Sequence, residues 1–191
     1  VGQSPYIVNY SPTQTAIDLC ARLQPTYLIY DYVDRWAADF RSPRRILASH
    51  QSLLERADLI TTPSEFLMQE VQASCSTPVK VIPHGVDFEL FNVLDSAILD
   101  DRIKKVGYFG SIGEYLDYEI LEEIAREFEL VLVGPRRTHL PDFQHVTYRP
   151  FVPHREIIGQ IQDCDAFILP YKNDEYGLGV NPIKLLECFA T

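Results

Sequence analysis

The sequence predicts an α/β protein with mostly parallel sheets, and three observations carry that reading. Short runs rich in β-branched and aromatic residues recur along the chain. Several are apolar at consecutive positions rather than alternating, as strands buried on both faces of a parallel sheet are. Amphipathic helical patterns lie between the runs, so strand and helix alternate over the whole length.

In order, the predicted strands are PYIVNY (5–10), TYLIYD (26–31), DLITT (58–62), VKVIP (79–83), KKVGYF (104–109), LVLVG (130–134), HVTYR (145–149) and DAFILP (165–170). In DYEILEEIAREF, Ile120, Leu121, Ile124, Ala125 and Phe128 form one helical face, opposite a row of acids. Ile157, Ile158 and Ile161 do the same in HREIIGQI. The closing stretch NPIKLLECFAT reads as a helix opened by Asn181 and Pro182, with Ile183, Leu186 and Ala190 as its apolar stripe. Lys184 and Glu187 sit three apart on one face of that helix. The rhythm breaks once, in the acidic stretch FELFNVLDSAILDDRIKK, after the turn signal His84-Gly85. A domain boundary and hinge are expected between about 84 and 104, giving domains 1–92 and 93–191.

Composition narrows the function. A formal charge of −10 argues against nucleic acid or an anionic membrane as main partner, since both select for basic patches. The four cysteines are scattered through apolar segments, which suits reduced core thiols better than a disulfide framework or a zinc site. No metal spacing is visible among the five histidines. No stretch is long enough to span a bilayer, and no signal peptide opens the chain. With Val1 in place of an initiator methionine, the chain reads as a fragment or processed form, and the expected compartment is the cytoplasm.

Three places carry candidate chemistry. GYFGSIGEYLD is a glycine-rich turn between a strand and a helix, where backbone amides can approach an anion. Its spacing, Gly107-x-x-Gly110-x-x-Gly113, is not the dinucleotide fingerprint, and no acid ends the next strand, so a nicotinamide site is disfavoured. The other reading is a plain tight turn. Asp31 and Asp34 follow the TYLIY strand at its carboxyl end, where open parallel sheets bind ligands. Asp34 could equally cap a short helix running into WAADF. Arg136 and Arg137 can reach a phosphate or sit in a solvated loop, and Lys184 with Glu187 can be an ordinary surface ion pair.

Together, RADLITTPSEFL, VKVIPHGVDFELF, KVGYFGSI, LVLVGP, VTYRPFVPHREI, DAFILPY and NPIKLLECFA resemble, in order and spacing, the GT-B-fold glycosyltransferases. Within that fold the chain resembles the retaining family 4 enzymes, bacterial types that extend capsule, cell-wall or antigen polysaccharides. LIYDYVDRWAADF is similar to a stretch at the back of their first domain. The resemblance covers nearly everything from Pro5 onward and implies two Rossmann-like domains, both incomplete here: the rear of an acceptor-side domain, then a nucleotide-sugar donor domain cut short at its end.

The resemblance also implies roles. Sugar transfer from a nucleoside diphosphate sugar to a hydroxyl is expected, with retention and without a metal or other cofactor. Gly110, Ser111 and Ile112 would meet the diphosphate through their backbone, and Val152 the base through its main chain. Asn181, Lys184 and Glu187 would complete the donor site, with Glu187 matching the second of two signature glutamates and holding the ribose hydroxyls. Gly179 stands where the first glutamate, which contacts the donor sugar, is found. The basic residue that relatives often carry near the first loop is missing, and Lys184 is the candidate replacement. Asp31 and Asp34 are the catalytic candidates on the acceptor side. A sugar or lipid-linked acceptor is implied, peripheral membrane association is compatible with that, and no nucleic acid is involved. A sugar-nucleotide 2-epimerase of the same fold and a non-catalytic nucleotide-sugar binding module are the alternatives; slow donor hydrolysis separates an enzyme from a pure binder.

Overall fold

In a computed structural model, the residues described are 4–36, 44–92, 102–139, 141 and 143–191. The chain divides into two compact units: Val1–His84 with Asp174–Asn181, and Gly85–Asn173 with Pro182–Thr191.

The first unit alternates β1 (Tyr6–Asn9), α1 (Gln14–Leu23), β2 (Tyr27–Asp31), α2 (Arg44–Arg56), β3 (Leu59–Thr62), α3 (Glu65–Ser74) and β4 (Val79–Val81). The strands pair in the order β1-β2-β3-β4, all parallel, because each connection is a helical crossover and not a hairpin. Local chemistry sets the helix ends. The Thr13 and Ser64 hydroxyls accept the Ala16 and Leu67 N–H groups, each at 3.3 Å, and Gln24 turns left-handed after α1. Ile17, Leu28, Tyr30, Leu53, Ile60, Leu67 and Val71 form the core.

Two buried tyrosines join this core to polar partners. The Tyr32 hydroxyl donates to Glu70 Oε1 at 2.6 Å, and the Tyr30 hydroxyl pairs with His50 Nδ1 at 2.9 Å. Burial pushes the His50 pKa down to about 4 from 6.5, against the opposing charge of Glu70. A buried neutral histidine is one of the groups that drive acid unfolding. The unfolded chain binds the extra proton between those two values, so this contribution is complete above about pH 6.5 and is lost as pH falls towards 4. Urea titrations at pH 7 and pH 4.5 are expected to show the first unit losing on the order of 2 kcal/mol through this residue. In a His50→Gln variant the slope with pH should flatten; an unchanged slope rejects the assignment.

The second unit contains α4 (Phe88–Phe91), β5 (Lys105–Phe109), α5 (Tyr118–Glu127), β6 (Glu129–Val133), β7 (Val146–Arg149), α6 (Ile158–Ile161), β8 (Ala166–Phe167) and α7 (Ile183–Ala190). Its strands are also all parallel, in the order β7-β6-β5-β8. The unbroken apolar run of β6 is explained by burial on both faces. Val131 and Val133 join Phe91, Phe109, Ile157 and Ile161, while Leu130 and Leu132 join Tyr108, Leu116 and Leu121. Arg149 reaches out of β7 to grip Asp163 through two guanidinium nitrogens at 2.6 and 2.7 Å, which holds the Asp163 carboxyl far below the usual range.

Two sequence expectations meet different packing here. Residues 85–92 were read with the first domain, yet Phe91 is fully buried in the second unit, its ring 6.5 Å from that of Phe109. Of the expected hinge between about 84 and 104, residues 93–101 lie outside the described residues. In α7, Ile183 was expected on the apolar stripe and is 41% exposed, whereas Glu187 is only 4% exposed. The helix turns Glu187 and Ala190 inward, with Cys188 packed against the same core.

Candidate functional site

The sheet of the second unit changes direction at β5. From β5 the chain passes through α5 to β6 on one side, while β8 pairs on the other. The strand order therefore reverses at β5, and in open α/β sheets the carboxyl ends of the strands at such a point are where ligands bind. Farther along, the segment after β8 pairs back on the one after β5, the Lys172 N–H donating to the Tyr115 carbonyl at 3.0 Å and the Asp117 N–H to the Pro170 carbonyl at 2.7 Å. Gly110 is the first residue past β5. Its φ of +136° lies in the region that favours glycine. Its N–H donates to the Val133 carbonyl at 2.8 Å, and the Ile112 N–H to the Pro135 carbonyl at 2.9 Å. Ile112 itself is fully buried. Of the three amides expected to meet a diphosphate, two are thus engaged within the fold, which concentrates that role on Ser111.

The carbonyl groups of the same loop are tied down by tyrosines. The Tyr108 hydroxyl donates to the Ser111 carbonyl at 2.8 Å, the Tyr115 hydroxyl joins it there, and the Tyr118 hydroxyl donates to the Gly113 carbonyl at 2.9 Å. Burial raises the Tyr108 phenol well above its ordinary value and pushes Tyr118 up to about 12, so both remain protonated donors. A loop whose carbonyls are held this way keeps a fixed backbone geometry at the strand end.

Helix α7 supplies the charges. A Cβ built on Gly110 would land inside the Lys184 side chain, with Nζ 3.0 Å away, so the lysine stem lies directly across the turn. Burial pulls the Lys184 pKa down, opposed by the Glu187 charge and the Cys188 thiol. Glu187 is held not by Lys184 but by His154, whose Nε2 is 2.7 Å from Oε1. The surface ion pair considered from sequence is therefore absent, because Glu187 is inside and its partner comes from another segment. His154 follows β7 in the loop PFVPH, two residues after Val152, which is half-buried against the core. Sequence reading passed over this histidine. Its signal was its place, just past a strand's carboxyl end and next to a residue already expected at the base.

The remaining candidates lie in the first unit. Asp31 ends β2 and its Oδ1 accepts the Thr61 hydroxyl at 2.6 Å. Asp34 is exposed, with its carbonyl accepting the Trp36 N–H at 2.9 Å; the short helix expected after it falls mostly on residues outside those described. Asn181 donates its side-chain amide to the Pro63 carbonyl at 2.8 Å, so the structure groups it with the first unit and not with Lys184 and Glu187. Gly179 is buried, and a Cβ there would come within 3.0 Å of Arg35 Cβ and Cδ. Arg35 is fixed by Glu70 and by the Glu175 carbonyl, the latter at 2.8 Å, which leaves no room for an acid at 179 unless Arg35 moves.

Among the described residues, no group of three or more His, Cys, Asp or Glu could hold a metal ion, and no helix is long and apolar enough to cross a membrane. All four thiols are free, and burial pushes Cys164 and Cys188 up to about 11. A cavity of about 560 Å³ lined by Arg126, Phe128, Phe143 and Val146 opens at the amino ends of β6 and β7, the opposite end from the Gly110 turn.

The two parallel-sheet units have the GT-B, Rossmann-like architecture, and comparison with known proteins finds a glycosyltransferase among the chain's homologues. No family model matches the chain. In particular, the chain is 30% identical over 190 residues to the Bacillus subtilis (strain 168) protein named "Putative teichuronic acid biosynthesis glycosyltransferase TuaH", across 85% of this chain and 48% of that one. Its fold is also similar to that of sucrose-phosphate synthase from Thermosynechococcus elongatus, with a TM-score of 0.70 at 17% identity, over 87% of this chain and 50% of the other. The chain spans about half the length of both proteins.

Proposed function

We propose that the chain belongs to an enzyme that moves a sugar from a nucleoside diphosphate sugar to a hydroxyl acceptor, with retention and without a metal, in the cytoplasmic synthesis of a cell-envelope polysaccharide. The observation that carries this reading is the convergence of Gly110, Lys184, Glu187 and His154 at the switch point of the second sheet. A nucleoside diphosphate asks for donors and a cation at its phosphates and a carboxylate at its ribose. The Ser111 amide and Lys184 meet the first requirement, and Glu187 meets the second. As the sugar leaves, charge gathers on the diphosphate, and preorganised donors aimed there supply catalysis. Val152 offers its main chain to the base. Asp31 and Asp34 serve the acceptor, a sugar or lipid-linked glycan, and a lipid-linked acceptor brings the enzyme to the membrane surface.

Calorimetric titration with UDP, GDP and ADP tests the donor site. Saturable binding of at least one is expected, tighter than that of the matching monophosphate and unchanged by a chelator. If none of the three binds, the nucleotide-sugar reading fails.

A further inference from the structure

We infer that His154 is a positioning residue of the nucleotide site, fixing the Glu187 carboxylate so that its second oxygen meets the ribose diol. The inference rests on the nucleotide reading above and adds a residue and a mechanism to it. Glu187 is 4% exposed and takes its hydrogen bond from His154, while the neighbouring Lys184 acts on it only through its charge. A buried carboxylate with no partner is costly, and one free to rotate would have to be ordered by the ligand. His154 removes both problems by engaging Oε1 at 2.7 Å. An ionised carboxylate only accepts, so His154 Nε2 carries the proton in this contact and Oε2 retains its acceptor capacity.

The histidine is itself held in place, although its side chain is 61% exposed. Its ring lies 5.5 Å from that of Phe91, which is fully buried and stacks on Phe109 at 6.5 Å. Phe109 is the last residue of β5, immediately before Gly110. A row of rings thus connects the carboxylate's support to the turn assigned to the phosphates. An exposed histidine needed only for stability would have no reason to affect one part of a nucleotide more than another.

That difference gives the test. The wild-type chain, His154→Ala and His154→Gln are titrated with whichever of UDP, GDP and ADP binds best, and with its 2′,3′-dideoxy analogue; thermal melting confirms that each variant is folded. His154→Ala is expected to lose about five- to tenfold in affinity for the ribonucleotide and less than about twofold for the dideoxynucleotide. His154→Gln, which keeps a side-chain N–H donor, should recover part of the loss. Equal losses for both nucleotides, or no loss for either, overturn the positioning role while leaving the nucleotide site standing. Absence of binding by the wild-type chain instead overturns the nucleotide reading, and the role of His154 with it.

Discussion

Replacing Gly110 by alanine is expected to destabilise the second unit by about 1–3 kcal/mol and to weaken diphosphate binding in the same step. Two separate effects meet at this position. A backbone φ of +136° is strained for any residue with a Cβ, and nothing nearby can relieve it because the Gly110 N–H is fixed to the Val133 carbonyl. The added methyl would also occupy the space of the Lys184 side chain. That stem is flexible, so the clash itself is relieved when the lysine swings away, and the cost of relief appears as lost affinity more than as lost stability. The double variant with Lys184→Ala separates the two. Strain predicts that Gly110→Ala lowers the urea midpoint by a similar amount with or without Lys184, while its effect on affinity largely disappears once the lysine is gone. An alanine variant with unchanged stability and affinity would show that the turn is neither strained nor engaged.

Glu187→Ala should have the larger effect on binding. Removing a carboxylate that grips a ribose diol abolishes charge-assisted hydrogen bonds worth about 1.5–3 kcal/mol. Nucleotide affinity then falls roughly ten- to hundredfold. Lys184→Ala should behave differently, weakening the diphosphate more than the monophosphate, because its charge serves the phosphates. Calorimetry of the three proteins with nucleoside mono- and diphosphates resolves the pattern. Because Glu187 is buried and joined to His154, its loss also touches stability, so melting curves accompany each titration. Unchanged affinity in the Glu187 variant would leave only the fold likeness in support of a donor site, and fold by itself does not establish function.

Much of this architecture was legible in the chain itself. Among the described residues, all eight strands fall on the short apolar runs, and the runs buried on both faces, in β5 and β6, keep strands of 5 residues. Strand–helix alternation announced parallel pairing, and the glycine turn after β5 and the charged helix at 183–190 were visible as local motifs. What the sequence determined was therefore what has its cause within about ten residues: element type and the identity of the chemically capable side chains. The partners were decided by the tertiary structure. Nothing local could show that β8 pairs on the far side of β5 from β6, which puts Gly110 at the switch point of the sheet. Neither could it show that Lys184 lies across Gly110, that Arg35 fills the space beside Gly179, or that Glu187 turns inward to a histidine 33 positions earlier. Helical periodicity put Ile183 on the apolar stripe and Glu187 on a charged face with Lys184, because hydrophobicity ranks a carboxylate as exposed. The reverse holds once His154 and the Phe91–Phe109 stack supply a partner and a wall, and those come together only when the crossovers of the sheet bring distant segments to one end of it.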